Sequence, residues 1–319
     1  MDEFSLIHRY FKRDTPHDGV RLGIGDDAAL LTPPVGQELA ISTDTLVAGR
    51  HFPLNTDAYA IGWKAAAVNL SDLAAMAATP HSLLLALTLP DANPEFLQQL
   101  AAGLFAACDI AGVALIGGDT TRGETLSLTI TALGWVPTGQ AILRSGAKPD
   151  DLIVVSGTLG DAAYALQHLG DACLSDPLRA RLDRPTPRNQ LGIALRGLAS
   201  AMLDISDGLA QDLGHILQAS RVRAEIHVDD LPTSPTLAAL DVAQRAPLQL
   251  AGGDDYELCF TISAQNFATL QQRWQGNDLP LTVIGKIIAS STDLPVNRLT
   301  ISYLQQPFLL TQQGFKHFD

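Results

Sequence analysis

The sequence is short of cysteine and of basic residues, and each shortage excludes a class of protein. Only three cysteines occur in 319 residues, Cys108, Cys173 and Cys259, and none belongs to a C-x-x-C pair. Neither a disulfide framework nor a zinc site is indicated, so we expect a reducing, cytoplasmic setting. Lysine and arginine number 21 against 34 acidic residues. The resulting formal charge of −13 argues against a nucleic-acid partner held by basic attraction.

Long apolar segments and the common nucleotide-binding motifs are also missing. No run of about 18 apolar residues occurs, and the first residues carry acid rather than an apolar core, so secretion and membrane spanning are disfavoured. No G-x-x-x-x-G-K-[ST] motif is present, because the turn at residues 157–160 leads into Asp161 rather than lysine. Residues 23–28 formally match the dinucleotide fingerprint G-x-G-x-x-A. We reject that match because no strong strand precedes it, and Pro33 and Pro34 follow where a helix should begin.

Length and segment order predict two domains of the α+β class. A chain of 319 residues is too long for one ordinary core and suits two domains of about 150 residues each. The polar stretch 140–151, which contains glycine and proline, is the best boundary. It gives an N-terminal domain of residues 1–139 and a C-terminal domain of residues 140–319. Strand and helix patterns mix without a regular β-α repeat, which favours α+β over a doubly wound sheet.

Carboxylates and hydroxyls at predicted strand ends indicate a cation site. An apolar strand through Ile41 is predicted to end in Ser42, Thr43 and Asp44, and oxygen ligands in a row suit a hard divalent cation. Other acids lie in glycine turns, at strand ends or on an apolar helix stripe. The whole set is Asp26, Asp27, Asp44, Asp72, Asp119, Asp204, Asp207, Asp254 and Asp255. Such an oxygen-only, histidine-poor set favours magnesium, calcium or manganese over zinc. The alternative is that each aspartate merely ends a strand or caps a helix.

Asp72 leaves both interpretations open. In the helix predicted over residues 59–78, it falls on the same apolar stripe as Val68, so its carboxylate faces the core or a cleft. Alternatively, Ser71 or Asp72 caps a new helix that starts at Leu73.

Seven segments of the chain, in order, carry these acidic and glycine-rich motifs: GIGDDAAL (23–30), ISTDTLVAGRHF (41–52), AAVNLSDLAAM (66–76), IGGDTTRG (116–123), LRSGAKPDD (143–151), LDISDGLAQDLGHI (203–216) and GGDDYELCF (252–260). Together they closely resemble the thiamine-monophosphate kinase family over essentially the whole chain. The wider aminoimidazole ribonucleotide synthetase-like superfamily shares a two-domain α+β fold. That fold implies an N-terminal mixed sheet with helices and a C-terminal α/β sandwich domain. The superfamily lacks the ISTDTLVAGRHF segment with its His51.

The resemblance implies a reaction and its co-substrates. The reaction is the ATP- and magnesium-dependent phosphorylation of thiamine monophosphate to thiamine diphosphate, the last step of thiamine diphosphate biosynthesis. The attacking phosphate oxygen is already ionised near neutral pH, so direct in-line transfer needs no catalytic nucleophile from the enzyme. The resemblance also implies several magnesium ions and a homodimer that pairs through the N-terminal domains.

The resemblance further implies which residues form the site. The implied metal ligands are Asp27, Ser42, Thr43, Asp44, Asp72, Asp119, Asp204 and Asp207. The implied ATP contacts are Gly118, Asp119, Arg144 and Ser206. The implied thiamine-phosphate contacts are His51, Asp254 and Phe315. Two of these depart from the family pattern, because Asp254 stands where the family has glutamate and Phe315 where tyrosine or tryptophan is common. By themselves, His51 would be a surface or packed histidine and Phe315 a tail anchor.

Two other functions remain compatible with the sequence. A superfamily relative that phosphorylates another acceptor would share the acidic metal ligands and differ at His51, Asp254 and Phe315. A magnesium-nucleotide sensor would bind ATP without turnover.

Overall fold

The computed structural model of the protein consists of two compact units. The residues that the structure describes are 2–13, 17–171, 174–289, 298–311 and 314. Unit 1 contains Met1–Ala74 and Ala78–Gly139, and unit 2 contains Ala75–Ala77 and Gln140–Asp319. In the described part of the chain, no helix has the length and hydrophobicity needed to cross a lipid bilayer.

Unit 1 is built from helices and a mixed sheet. Its elements are α1 (Glu3–Leu6), a π-helix (Ile7–Phe11), β1 (Val20–Leu22), β2 (Leu30–Leu31), β3 (Gln37–Val47), α2 (Ala58–Ala75), β4 (Thr79–Leu89), α3 (Pro94–Ala111), β5 (Ala114–Arg122) and β6 (Ser127–Pro137). Among the described residues, β1 pairs with β2, and the other strands form a four-stranded sheet in the order β3-β6-β4-β5. The β4–β5 pair is parallel and the other two pairs are antiparallel.

The four-stranded sheet has one buried face and one open face. Along β6, Leu128, Ile130 and Ala132 are buried, whereas the threonines between them are only partly buried. This alternation is the period of two that a half-buried strand requires. On the open face, Thr43 and Thr131 share a hydroxyl hydrogen bond of 2.8 Å across neighbouring strands.

The extent of β3 corrects the sequence prediction. Ser42, Thr43 and Asp44 were expected at a strand end, but β3 continues to Val47 and pairs with β6 along its whole length. Polar residues fit in mid-strand here because β3 is an edge strand whose side chains are mostly exposed. Thr43 and Thr45 are β-branched residues, which favour continued strand pairing.

Unit 2 contains the larger sheet. Its elements are β7 (Leu152–Ser156), α4 (Asp161–Gln167), α5 (Asp176–Asp183), α6 (Asn189–Ala194), β8 (Ala199–Asp204), α7 (Leu209–Ser220), β9 (Arg223–His227), a 3₁₀ helix (Val228–Asp230), α8 (Pro235–Ala238), α9 (Val242–Ala251), β10 (Leu258–Ile262), α10 (Ala264–Arg273), β11 (Leu281–Ile288), β12 (Leu299–Tyr303) and β13 (Gln306–Pro307). Within the described residues, these strands form a seven-stranded sheet in the order β13-β12-β9-β11-β7-β10-β8. The β12–β9 pair is parallel and the remaining pairs are antiparallel. The α+β prediction is therefore confirmed.

The centre of this sheet is apolar on both faces. Every residue of β10 is buried, and β7 is buried from Ile153 to Ser156. The helix α7 contributes Leu209, Leu213 and Ile216 to the same core. Continuous burial accounts for the unbroken apolar runs in these strands, because both faces are covered.

Candidate functional site

Unit 1 holds a cavity of about 850 Å³, which we call the unit 1 cavity. The β1–β2 loop at residues 23–29 and residues 115–120 of β5 form much of its wall, and Phe4 and Ile7 line it from the N-terminal helices. Asp27, Gly118 and Asp119, which are predicted ligand contacts, all line this one cavity.

The charge of the unit 1 cavity has one sign. Its charged lining residues are Glu3, Asp26, Asp27 and Asp119, and none of the described lining residues is basic. The Asp26 carboxylate accepts the backbone N–H of Asp27 at 2.9 Å, which fixes the orientation of the Asp26 side chain. An anionic ligand could enter such a cavity only together with cations.

A bulge in β5 places Gly118 and Asp119 against the unit 1 cavity. Leu83 pairs with Leu115 but Leu84 pairs with Gly117, so the register shifts by one residue. Gly118 has φ of +145°, and a Cβ there would lie 1.9 Å from the Leu85 carbonyl oxygen. Only glycine fits at that position. The sequence pattern predicts a strand over residues 113–116 that ends at the glycines, but β5 continues through them to Arg122, so Asp119 lies within the strand.

The seam between β3 and α2 joins two further predicted ligands. The Ser42 hydroxyl donates a hydrogen bond to the Asp72 carboxylate. The backbone N–H of Asp44 donates to Asn69 Oδ1 at 3.0 Å, and buried Asn69 in turn donates to Ala65 O. Since α2 runs unbroken to Ala75, no helix begins after Asp72, and the capping interpretation of this residue is wrong.

His51 lies in the turn after β3. The backbone N–H of Val47 donates to His51 Nδ1 at 3.0 Å, so the ring proton lies on Nε2 in the neutral imidazole. Gly49, with φ of +76°, permits this tight turn. The half-buried ring is therefore held in one orientation by the backbone.

In unit 2, the loop after β8 is organised by a residue that sequence reasoning missed. Asp212 Oδ2 accepts hydrogen bonds from the backbone N–H groups of Ser206, Asp207 and Gly208, at 3.0 to 3.1 Å. Burial raises the pKa of Asp212 to about 7, although these three donors oppose the rise. Asp212 shares the buried face of α7 with Leu213, so the apolar-stripe criterion applied to Asp72 would have found it.

A second loop, residues 252–257, runs beside the first. The Asp254 N–H donates to Ser206 O at 2.9 Å, and the Tyr256 N–H donates to Ile205 O at 2.8 Å. The predicted residues Asp204, Ser206, Asp207 and Asp254 are thus collected on two adjoining segments. Asp204 is buried, and Ser206, Asp207 and Asp254 are partly buried.

The backbone of Arg144, a predicted ATP contact, lies at the far end of α7 from this group. The Arg144 carbonyl accepts a hydrogen bond from Ser220 Oγ at 3.2 Å, at the C-terminal end of α7. Ser206 precedes the N-terminal end of that helix, roughly 17 Å away at 1.5 Å per residue. Phe315 lies outside the described residues, whereas its neighbour Gly314 packs so closely on Asp207 O that a Cβ would approach within 2.7 Å.

The turn at residues 157–160 is occupied by the protein's own carboxylates. Gly160 N–H donates to both oxygens of buried Asp255, at 3.0 Å each. Asp161, also buried, accepts the hydroxyls of Thr158 and Ser234 at 2.5 Å. The turn therefore has internal partners in place of a phosphate, which agrees with the missing lysine of a P-loop.

The predicted metal ligands fall into both units. Within the described residues, no group of three or more histidine, cysteine, aspartate or glutamate side chains has the arrangement needed to hold a metal ion. The donors themselves are carboxylates and hydroxyls, which suit magnesium, an ion that commonly completes its shell with water and substrate phosphates.

Comparison with known proteins covers the whole chain. Models of the AIR synthase related protein N-terminal and C-terminal domains match residues 25–136 and 148–294. A thiamine-monophosphate kinase of Escherichia coli O157:H7 is 47% identical over 324 residues, covering 99% of this chain and 98% of the relative. The crystal structure of thiamine-monophosphate kinase from Stenotrophomonas maltophilia K279a is similar with a TM-score of 0.85 and 45% identity, covering 97% of this chain and 98% of that one. The structure of AaThiL complexed with AMPPCP and TMP has a TM-score of 0.75 and 29% identity, covering 90% and 89% of the two chains.

Proposed function

This chain belongs to the thiamine-monophosphate kinase family, and on that premise we propose how its residues carry out the family's reaction. The reaction transfers the γ-phosphoryl group of ATP to thiamine monophosphate and yields thiamine diphosphate. A relative in the same fold family is complexed with AMPPCP and TMP, which supports ATP and thiamine monophosphate as the two substrates.

The observation that carries the proposal is the charge of the unit 1 cavity. ATP and thiamine monophosphate are both anionic, and each close pair of like unit charges costs about 1 kcal/mol in water and about 4 kcal/mol at an effective dielectric of 20. An acidic cavity without a basic lining residue is suited to phosphates only when cations accompany them. Magnesium ions, when bound, would offset the charge of both phosphate groups and of the protein's carboxylates.

We assign the metal ligands to carboxylates and hydroxyls of both units. The ligands are Asp27, Ser42, Thr43, Asp44, Asp72, Asp119, Asp204 and Asp207. Gly118, Asp119, Arg144 and Ser206 contact ATP, and His51, Asp254 and Phe315 contact thiamine monophosphate. The hydrogen bond from Ser42 to Asp72 supports the assignment of both residues as metal ligands, because it places two possible oxygen ligands side by side.

The protein's part in the reaction is to bind and orient. Its acceptor is a phosphate oxygen that is already ionised near neutral pH, so no side chain has to remove a proton or form a covalent intermediate. The transfer is direct and in line, and positioning with charge compensation lowers the barrier.

We propose that two copies pair through the open face of the four-stranded sheet. Leu39 and Ile41 on β3 are 43% and 60% exposed, although both are large apolar residues. A second copy would bury them in a symmetric interface, with the Thr43–Thr131 pair beside them.

A reducing cytoplasm is the proposed setting. Cys108 and Cys259 are free and buried, and burial raises the pKa of the Cys108 thiol to about 12. Thiols of this kind are structural and poorly reactive.

The activity is tested by incubating the protein with ATP, magnesium chloride and thiamine monophosphate and separating the products by chromatography. We expect thiamine diphosphate that depends on all three components. ATP binding without turnover would favour the sensor function, and phosphorylation of a different acceptor would favour a superfamily relative.

Asp44→Asn should abolish turnover while leaving the fold intact, whereas Glu38→Gln on the same strand should remain active. Near-normal activity of Asp44→Asn would remove Asp44 from the metal ligands.

A further inference from the structure

The loop at residues 252–257 adopts a backbone conformation that residues other than glycine usually avoid. Asp254 and Tyr256 have φ of +68° and +48°, in the left-handed region, although neither is glycine. Such a backbone persists only where surrounding contacts enforce it, and it is concentrated at functional sites. The two backbone hydrogen bonds to residues 205 and 206 supply part of that enforcement.

The hydroxyl of Tyr256 acts on the Asp254 carboxylate directly. It donates a hydrogen bond to Asp254 Oδ1 at 3.1 Å, and the Tyr256 side chain is buried. A buried phenol that makes this contact restricts the rotamers that the carboxylate can adopt. Tyr256 thus helps to orient Asp254 from within the same loop.

Glu257 fixes the end of the loop in the core. Its side chain is fully buried and accepts hydrogen bonds from Arg188 in a bidentate arrangement, with Arg188 Nε at 2.7 Å. Arg181 donates at 2.9 Å and Ser156 Oγ at 2.6 Å. Glu257 O also accepts the backbone N–H of Ile205, which ties the same residue to the loop after β8.

The fold makes room for this ion cluster. A Cβ on Gly157 would lie 2.2 Å from Glu257 Oε1, so the chain has no side chain where the carboxylate sits. Buried ion pairs add little stability compared with well-packed apolar residues, but a bidentate arginine–carboxylate pair specifies one geometry. Because Glu257 is inaccessible, it cannot touch a substrate itself.

We propose that Tyr256 and the Glu257–Arg188 pair are positioning residues that hold the Asp254 carboxylate ready for the acceptor. The proposal rests on the proposed function and deepens it, because Asp254 is assigned there to thiamine monophosphate. Acceptor recognition then depends on a preformed loop rather than on a loop that orders when the substrate binds.

The first test is Tyr256→Phe, which removes one hydroxyl and keeps the ring. We expect the KM for thiamine monophosphate to rise about tenfold, the factor that one hydrogen bond to a charged group represents, while the KM for ATP changes less than about twofold. Tyr303→Phe, on β12, is the matched control and should leave both constants unchanged. In an Asp254→Ala background, which removes the acceptor of the Tyr256 hydroxyl, Tyr256→Phe should add less than about a twofold effect, because it acts through that carboxylate.

The second test is Arg188→Lys, which keeps the charge of the buried pair and removes its bidentate geometry. We expect the KM for thiamine monophosphate to rise about tenfold, again with little change for ATP. Arg179→Lys, which alters the Arg179–Asp183 pair on α5, is the control and should have no effect. Equal increases for both substrates, or additivity of Tyr256→Phe with Asp254→Ala, would overturn the proposal.

A parent protein that forms no thiamine diphosphate would overturn the proposed function separately. Isothermal titration of thiamine monophosphate and ATP into the same variants then decides the loop proposal. Weaker binding of thiamine monophosphate alone supports it, and unchanged binding overturns it.

Discussion

At the scale of single residues, Asp212 shows how one carboxylate can order a loop. It accepts three backbone N–H groups, and burial raises its pKa to about 7 from an ordinary value of 3.8. The pKa of Asp212 is higher in the folded state than in the unfolded state. Between about pH 4 and about pH 7 the native state therefore keeps a proton that the unfolded state has released. The stability that Asp212 contributes is therefore fully present below about pH 4 and is lost as pH rises through about 7.

We predict that the free energy of unfolding of the parent, measured relative to that of Asp212→Asn, falls as pH rises from about 4 to about 8. Asparagine keeps an oxygen acceptor and cannot titrate, so the variant reports the same loop without the proton. Urea denaturation in the absence of divalent cations measures the difference at each pH. Parallel pH profiles of the two proteins would contradict this account of Asp212.

Asp72, which we propose as a metal ligand, is expected to behave in the opposite way. If it is a metal ligand, its charge without metal contributes repulsion against neighbouring carboxylates. We predict that Asp72→Asn raises the melting temperature without magnesium, loses most of the stabilisation given by magnesium-ATP, and loses activity. Thermal melts with and without magnesium-ATP measure the first two effects.

Asp57→Asn is the matched control, since Asp57 immediately precedes the first residue of the same helix, α2. Asp57 accepts the Ala60 N–H at 3.2 Å in the manner of a helix cap, and asparagine caps about as well as aspartate. This control should leave stability, ligand response and activity nearly unchanged. An Asp72→Asn variant whose ligand-induced shift equals that of the parent would return Asp72 to a structural role.

At the scale of elements, the bulged strand β5 controls the shape of the unit 1 cavity. We predict that Gly118→Ala destabilises unit 1 and removes the melting-temperature shift caused by ATP, because a Cβ 1.9 Å from Leu85 O forces β4 and β5 apart. Gly112→Ala is the control, since Gly112 has φ of +67° but nothing within 4 Å of its Cβ position. That change should cost only about 1 kcal/mol. Similar losses in both variants would show that left-handed φ alone matters.

The sequence predicted elements best where composition and caps agreed. The sequence pattern predicts a helix from Pro94 to Ala111 and a strand from Leu258 to Ile262. The bounds of α3 and β10 agree, because proline begins the helix and a mostly apolar run defines the strand. The predicted ends of β3 and β5 were wrong. The hydroxyl, glycine and acidic residues at these positions lie inside the paired strands and not in the turns that follow them. Local propensity favoured the continuation of β3 through Thr43 and Thr45, whereas in β5 pairing with β4 overrode the preference of the glycines for a turn.

Site prediction had a similar limit. The resemblance supplied most candidate residues, and Asp72 also followed from its position on an apolar stripe. Glu257 could not be recognised, because its partners Arg188 and Arg181 are 69 and 76 residues away in the sequence. Partners at such distances are created by the sheet of unit 2 and leave no local pattern.

At the scale of the whole molecule, the open sheet face gives a prediction about assembly. We expect Ile41→Lys to convert a dimer into a monomer in sedimentation velocity, because a symmetric interface receives the added charge twice. Ile110→Lys is the control, since Ile110 is 75% exposed and lies on α3, away from that sheet face. A parent protein that sediments as a monomer would contradict the proposed interface.

The position of β7 in the sheet has a consequence for synthesis. Its neighbours in the sheet are β10 and β11, which both come much later in the sequence. Ser156, at the end of β7, forms a hydrogen bond with Glu257, which is 101 residues further along the chain. At about 5–20 residues per second, a ribosome needs roughly 5–20 s to supply that partner. Throughout this interval an apolar strand waits without either neighbour, open to association with other nascent chains. We therefore expect synonymous codons that slow translation between residues 157 and 257 to lower the yield of native protein. Equal soluble yields from slow-codon and fast-codon versions of the gene would contradict this.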